Sequence, residues 1–231
     1  MNIIINGGTR GIGRETAILL SADEANRILV TGRDTGALAR LPAASLHGNI
    51  ITMALDIARF ESQADAFLEK VNSCFANVNI LINCAGLLVK GDFMELGSYE
   101  ARLMMETNFF GPALVTRCLA TIMPAGSHVV NISSMGGFQG SSKYRGLSYY
   151  SASKAALACL SECLALELGD AGISVNCLAL GAVQTGMFRE AFPGLEAPVT
   201  ASRMAGFIAD FALRGNEFFN GKIIPVTIGN P

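Results

Sequence analysis

The chain has 231 residues, of which 51% are hydrophobic and only 16% charged, with a mean hydropathy of +0.41 and a formal net charge of −2. No basic stripe of the kind that nucleic acid requires is visible, and Asn, Arg, Asp or Gly interrupts every apolar run before it reaches the ~18 residues of a membrane helix. The six cysteines form no C-x-x-C pair, and His47 and His128 stand apart as structural or solvent-facing side chains, so neither a metal site nor a disulfide framework is expected.

The first strand pattern, Asn2–Asn6, begins at once, with no basic leader or signal-peptide core before it, which makes a cytoplasmic protein the expectation. Directly after it comes Asn6-Gly7-Gly8-Thr9-Arg10-Gly11-Ile12-Gly13, running into a helical pattern over Gly13–Ala22. Glycines at this junction let the backbone turn tightly and approach a phosphate, while the helix N-terminus offers free N–H groups and partial positive charge. The position between a first strand and a first helix turns a weak motif into a strong one, and it predicts a dinucleotide site. The second strand, Arg27–Thr31, leads into Gly32-Arg33-Asp34. NAD binders usually place an acidic side chain here for the ribose 2′-hydroxyl. This chain offers Arg33 instead, with Arg10 as a second cation, and a guanidinium suits a 2′-phosphate. NADP(H) is therefore the predicted cofactor, and Asp34 is expected to cap the next helix.

Further strands are predicted at Ile50–Leu55, Asn79–Asn83, His128–Ser133, Ser174–Leu178 and Lys222–Val226, alternating with helices at Arg59–Cys74, Tyr99–Met123, Tyr149–Leu168 and Val199–Leu213. Their near-continuous apolarity marks strands covered on both faces, and the alternation argues a doubly wound α/β fold built on a parallel sheet. No linker or repeat divides the chain, so one domain over residues 1–231 is the economical reading. Cys159 and Cys163 share a helix face and read as small core residues. The stretch Gln184–Pro198 is irregular and reads as a loop that could act as a lid over the crevice at the carboxyl ends of the strands.

Tyr150 and Lys154 open one helix four residues apart, hence on one face. A neighbouring ammonium, together with the positive nicotinamide of the oxidised cofactor, favours phenolate and lowers the tyrosine's pKa toward working pH, which suits a general acid/base. Ser134, at the end of the fifth strand, can hold a substrate oxygen near the Tyr150 hydroxyl, while alternation points Ser133 to the other face.

Together these residues resemble the short-chain dehydrogenase/reductase family, in its small single-domain type like the 3-oxoacyl-carrier-protein reductases, from Asn2 to about Gly229. The glycine loop is similar to T-G-x-x-x-G-x-G with Asn6 for Thr, and Asn83-Cys84-Ala85-Gly86 to N-N-A-G. Asp56-Ile57 resembles the pair that holds the adenine. Asn108 matches the family's catalytic Asn, and Ser134, Tyr150 and Lys154 its other catalytic residues. Gly181-Ala182-Val183-Gln184-Thr185 resembles the P-G-x-x-x-T turn that grips the nicotinamide carboxamide, with Leu180 replacing Pro.

The resemblance implies a Rossmann-type three-layer sandwich on a seven-stranded parallel sheet. It implies an NADP(H)-dependent oxidoreductase that moves a hydride between the nicotinamide and a carbonyl or secondary alcohol. In that role Tyr150 exchanges the proton, Ser134 positions the oxygen, Lys154 binds the ribose and depresses the Tyr150 pKa, and Asn108 supports a proton relay. Gly7, Thr9, Arg10, Gly11, Ile12, Gly13, Arg33, Asp56, Ile57, Asn83, Ala85, Gly86, Gly181, Val183 and Thr185 would bind cofactor. Met187 and Phe188, with Phe192, could line an apolar substrate pocket or equally be plain core. The interval from Ser134 to Tyr150 is longer than usual, and the extra residues fall in Gly136–Ser148, read as an enlarged substrate loop. Pairing of the Tyr99–Met123 and Tyr149–Leu168 helices implies a homodimer or homotetramer. The rival reading is a sensor or scaffold that binds NADP(H) without catalysis.

Overall fold

The structure is a computed structural model and describes residues 1–228; the expected end of the family pattern at Gly229 lies outside them. In chain order its elements are β1 (Asn2–Asn6), α1 (Gly11–Leu20), β2 (Arg27–Gly32), α2 (Thr35–Arg40), β3 (Ile50–Ala54), α3 (Ala64–Cys74), β4 (Ile80–Asn83), α4 (Ser98–Met105), α5 (Gly111–Leu119), β5 (His128–Ser134), α6 (Ser148–Glu167), β6 (Ser174–Leu180), β7 (Val183–Gln184), α7 (Gly186–Ala191), β8 (Val199–Thr200), α8 (Ala201–Arg214) and β9 (Ile223–Val226). Seven strands form one sheet in the order β3-β2-β1-β4-β5-β6-β9, every neighbouring pair parallel. The strand order reverses direction between β1 and β4, and that switch point is where such sheets open a crevice.

Both sheet faces are covered, as the apolar strands require. On one face Ile3, Ile5, Val30 and Ile82 pack with Ala17 and Leu20 of α1 and with Met204 and Ile208 of α8. On the other, Ile4, Leu29, Leu81 and Val129 pack with Phe67 and Val71 of α3, Val115 and Leu119 of α5, and Ala165 of α6. Three expectations need correction. The single helix over Tyr99–Met123 is α4 and α5 joined by a π-helical turn at Glu106–Phe110. The loop 184–198 is bounded by a two-stranded parallel ribbon of β7 and β8, carries α7, and is tied by the Ala197 N–H to Gln184 Oε1 at 2.8 Å. Cys159 and Cys163 are exposed, because the sheet-facing side of α6 is taken by Leu157, Ser161 and Ala165. No helix among the described residues is long and apolar enough to cross a membrane.

A buried polar chain crosses the sheet just below its carboxyl edge. Thr31 Oγ1 donates to Asn6 Oδ1 (2.8 Å), Asn6 Nδ2 to Asn83 Oδ1 (2.9 Å), Asn83 Nδ2 to Asn131 Oδ1 (2.8 Å), and Asn131 Nδ2 to Ser161 Oγ (2.9 Å). Ser161 Oγ completes it by donating to the Leu157 carbonyl at 2.7 Å, inside α6. The three asparagines, one from each of β1, β4 and β5, stand side by side in the register, each at most 1% exposed. Unpaired, each amide group would cost about 1–3 kcal/mol to bury. Paired in this order, they fix strand register and dock α6 on β5, since a slip of one residue would turn every amide to the opposite face. Asn131→Ala removes two of these bonds and leaves Asn83 Nδ2 with only the longer contact to Thr116 Oγ1 at 3.3 Å. It should cost about 2–4 kcal/mol, read as a lower denaturant midpoint at unchanged slope; an unchanged midpoint would deny the chain its role.

His128 is also structural. Its Nδ1–H donates to the Ala212 carbonyl at 3.1 Å, and its Nε2 accepts from Asn176 Nδ2 at 3.0 Å, so the neutral ring satisfies both partners and joins β5 to α8 and β6. Burial, with the Ala212 bond opposing it, pushes the imidazole down from 6.5 to about 4. The unfolded chain therefore takes up a proton that the folded one refuses between those values. The associated stability is complete above pH 6.5 and is lost as pH falls toward 4, to the extent of about 3 kcal/mol. His128→Gln should flatten that part of a melting-temperature profile; an unaltered slope would assign the acid sensitivity elsewhere.

Candidate active site

The carboxyl ends of β1, β4, β5 and β6 open into a continuous cleft of about 720 Å³. Its floor is the glycine loop. The Gly7 and Gly8 N–H groups both donate to the Thr31 carbonyl, at 2.9 and 3.1 Å, folding the chain back over β2. Gly7 takes φ +86°, and a Cβ there would lie 2.4 Å from the Ala85 Cα; a Cβ on Gly13 would lie 2.4 Å from the Gly7 carbonyl oxygen. Only glycine fits either place. The N-terminus of α1 has no side-chain cap, so its first N–H groups face the cleft unclaimed by a side chain.

Thr9, Arg10, Gly11, Ile12, Arg33, Asp56, Ile57, Ala85, Gly86, Gly181, Val183 and Thr185 all line this cleft with the glycines. Several have structural partners as well. Asp34 Oδ1 accepts from the Ala37 N–H at 2.9 Å and caps α2, as its place in the sequence suggests. Asp56 caps the 3-10 turn Ile57–Gln63. Arg10 Nη1 is 3.2 Å from Glu190 Oε1, so the expected second cation is shared with α7, while Arg33 lies exposed at the end of β2. Thr185 Oγ1 accepts from the Phe188 N–H at 3.2 Å and caps α7. Asn83 does not reach the cleft surface; it belongs to the amide chain beneath. Leu180, where the family pattern has Pro, continues β6 in register with Ser134 and Val226.

The catalytic candidates converge at the cleft's centre. Tyr150 and Ser134, the last residue of β5, both line the cleft. Tyr149 instead stacks on Phe93, ring centroids 5.5 Å apart, which separates the two tyrosines by partner as well as by sequence. Lys154, buried one turn along α6, donates from Nζ to the Ile132 carbonyl at 2.8 Å. Ser133 turns the other way and donates to the Lys154 carbonyl at 2.8 Å, as strand alternation requires. Asn108 sits in the π-helical turn, whose extra residue lets its amide span Leu87 of the neighbouring loop: Nδ2 donates to the Leu87 carbonyl and Oδ1 accepts from its N–H, both at 2.8 Å. The same Nδ2 reaches Ser153 Oγ at 2.9 Å, and Ser153 donates to the Tyr150 carbonyl, so Asn108 clamps the first turn of α6 to the end of β4.

The electrostatics depart from expectation at one point. Burial pushes the Tyr150 phenol above its ordinary value, and the hydrogen bond from Ser134 is the opposing influence. The expected depression by Lys154 is not found, because that ammonium is directed at the Ile132 carbonyl. Burial pushes Lys154 itself down to about 8, with the neighbouring Cys84 and Cys177 opposing. Cys84 lies beside the lysine with its thiol pushed up to about 11 by burial, which keeps it protonated and inert.

A nicotinamide dinucleotide fits the residues present. Besides the glycine cradle, Thr107 Oγ1 is buried in the cleft lining with no hydrogen-bond partner. A buried hydroxyl without a partner is uncommon and marks a place where a ligand atom would bond. The sequence reading did not select Thr107; its signal was adjacency to Asn108. Nor did it select Leu88, Tyr144 and Leu147, which line the cleft from two loops. Met187 and Phe188 do line it, as expected.

Comparison with known proteins agrees with this architecture. The family model described as short chain dehydrogenase matches residues 1–196. Dehydrogenase/reductase SDR family member 7B of Bos taurus is 33% identical over 196 residues, covering 80% of this chain and 58% of that protein. The 3-oxoacyl-[acyl-carrier-protein] reductase of Homo sapiens is 32% identical over 186 residues, covering 80% of this chain and 76% of that one. In the fold, a short chain dehydrogenase from Burkholderia cenocepacia, solved in complex with NADP, superposes with a TM-score of 0.85 over 97% of this chain and 95% of its own, at 24% identity. This chain belongs to the short-chain dehydrogenase family.

Proposed function

We propose that this chain is an NADP(H)-dependent oxidoreductase that interconverts a carbonyl and a secondary alcohol, with Tyr150 as general acid/base. The observation that carries the reading is the convergence of Ser134, Tyr150 and buried Lys154 on one cleft at the carboxyl end of β5. Two hydroxyls that line one cleft give a carbonyl oxygen two donors, one of which can release its proton.

The cofactor would lie with its pyrophosphate at the N-terminus of α1, over Gly7 to Gly13, and with its adenosine end beside Arg33, Asp56, Ile57 and Thr107. Arg33 stands where a 2′-phosphate would be met, which favours NADP(H) over NAD(H). The complex of the Burkholderia relative with NADP supports this choice. When bound, the reduced nicotinamide supplies the hydride whose two electrons form the new C–H bond. Ser134 Oγ–H donates to the carbonyl oxygen and fixes its position. Tyr150 gives that oxygen its proton, the phenol O–H bond breaking as the alcohol O–H forms, and in the oxidative direction takes it back. Lys154, buried and pushed down to about 8, would hold the nicotinamide ribose and return a proton to the phenolate from solvent. Asn108 holds the Tyr150–Lys154 turn in place through Ser153. The exposed apolar side chains Tyr99 on α4 and Leu166 on α6 support pairing of these helices in a homodimer or homotetramer.

Tyr150→Phe should lower kcat by at least about 100-fold while NADPH still binds, as fluorescence of the bound nucleotide would report. Full reductase activity in that variant would assign the acid elsewhere. Arg33→Asp should reduce the NADPH-to-NADH ratio of kcat/KM by about 10- to 100-fold, the scale of a charge-assisted phosphate contact. An unchanged ratio would mean that the 2′-phosphate is met by another group.

A further inference from the structure

Charge is distributed unevenly along the cleft. Among the described residues its lining holds three basic side chains, Arg10, Arg33 and Lys154. Arg33 follows β2, which lies three strands from the Ser134 end of β5, roughly 14 Å at the usual ~4.8 Å spacing. Arg10 sits at the head of α1 against Glu190, and Lys154 is committed to the Ile132 carbonyl. None of the three is placed to meet a charged group on a substrate bound beyond Ser134 and Tyr150.

That far end is walled by three loops, and its lining is apolar. Met187 Cε lies 3.8 Å, and Lys154 Nζ 3.4 Å, from the point a Cβ on Gly86 would occupy, so the α7 segment and the lysine both border Gly86. Phe188 and Phe192 stack one turn apart, centroids 5.2 Å apart, and both line the cleft. Opposite them the enlarged loop contributes Tyr144 and Leu147, and Leu195 stands at the rim, 59% exposed. The cations of these loops lie outside the cleft lining, Arg189 of α7 being exposed. Lys90 Nζ lies 4.7 Å over the Phe192 ring, Lys143 donates to the Phe138 carbonyl at 2.7 Å, and Arg145 Nε donates to Asp92 Oδ1 at 3.0 Å. The Gly91 N–H donates to the Gly146 carbonyl at 3.1 Å, joining the loop that carries Lys90 and Asp92 to the one that carries Arg145.

From this placement, and resting on the carbonyl chemistry proposed above, we infer that the substrate is an uncharged ketone, or its secondary alcohol, bearing ring-sized apolar groups. Carboxylates, phosphates and polyols are discriminated against. An anion entering this end loses its water and, among the described residues of the lining, meets no cation beyond the committed Lys154, a cost that an apolar group does not meet. Three aromatic rings, Tyr144, Phe188 and Phe192, offer flat contact area to a cyclic substituent.

Three probes of similar size separate the classes: 1-phenyl-2-butanone, the anionic phenylpyruvate, and the polyol fructose. Calorimetry on the full-length Tyr150→Phe protein saturated with NADP+ reads binding apart from turnover. The ketone should bind at least about 100-fold more tightly than either of the others. Preference for phenylpyruvate or fructose, or no binding of any probe, would overturn the inference. Leu195→Arg sets a cation at the rim, and it should shift the phenylpyruvate-to-ketone ratio of kcat/KM by at least about tenfold toward the acid; an unmoved ratio would count against the wall as the selective element. Should the ketone bind selectively while the wild-type protein fails to oxidise NADPH with it, the substrate class would stand and the catalytic reading would fall.

Discussion

The site depends on a line of amides that never touches it. Asn6, Asn83 and Asn131 each donate one way and accept the other, so the chain from Thr31 to Ser161 has a single consistent direction. Directionality makes it a register gauge: a shifted strand would set donor against donor or bury an amide in the opposite apolar layer. It lies directly beneath the strand ends that carry the glycine loop, Ser134 and, through Ser161, helix α6. The relative placement of Tyr150, Lys154 and Ser134 is thus inherited from hydrogen bonds a layer below. Hydrophobic packing alone would fix that placement less sharply, because Ile and Val layers tolerate exchange provided that volume is kept.

Above that layer, the site is assembled by opposing constraints. Burial disfavours charge on both Tyr150 and Lys154, raising one pKa and lowering the other. Ser134 opposes the shift of the phenol and Cys84 and Cys177 that of the ammonium, which also donates to the Ile132 carbonyl. The helix irregularity at Glu106–Phe110 belongs to the same arrangement, since π turns concentrate where a side chain must be re-aimed at a functional site. Here it brings Asn108 into line with both backbone groups of Leu87.

Much of this could be read in the chain beforehand. Strand positions came within two residues, because a sheet covered on both faces writes itself as short Ile/Val runs. The phosphate loop was legible because steric exclusion at Gly7 and Gly13 permits only glycine. Tyr150 and Lys154 were legible from helical spacing. What could not be read depends on tertiary partners. Asn83 looked like part of a cofactor motif, yet its amide is spent on Asn6 and Asn131. Cys159 and Cys163 looked like core, but which face of α6 meets the sheet is decided by Ser161 and Leu157. The burial that raises the Tyr150 pKa, and the β5 carbonyl that takes the Lys154 ammonium, are not visible in the i, i+4 spacing. Thr107 has adjacency to Asn108 as its one sequence signal, and its burial without a partner is what singles it out.

The amide chain also has a kinetic consequence. Its links join residues 25, 77, 48 and 30 positions apart, so none can form within a local segment. Closing such distances costs loop entropy before any contact rewards it, and sheets of this kind fold slowly for that reason. The amides can pair only after β2, β1, β4 and β5 have come together in the correct order. Until then, each asparagine remains better solvated in water than in a partly formed core. Apolar collapse can therefore bring the strands near one another early, but a misordered sheet is left with bare amides and reopens. The chain of asparagines acts as a checkpoint on assembly, admitting the native strand order and delaying the burial of any other.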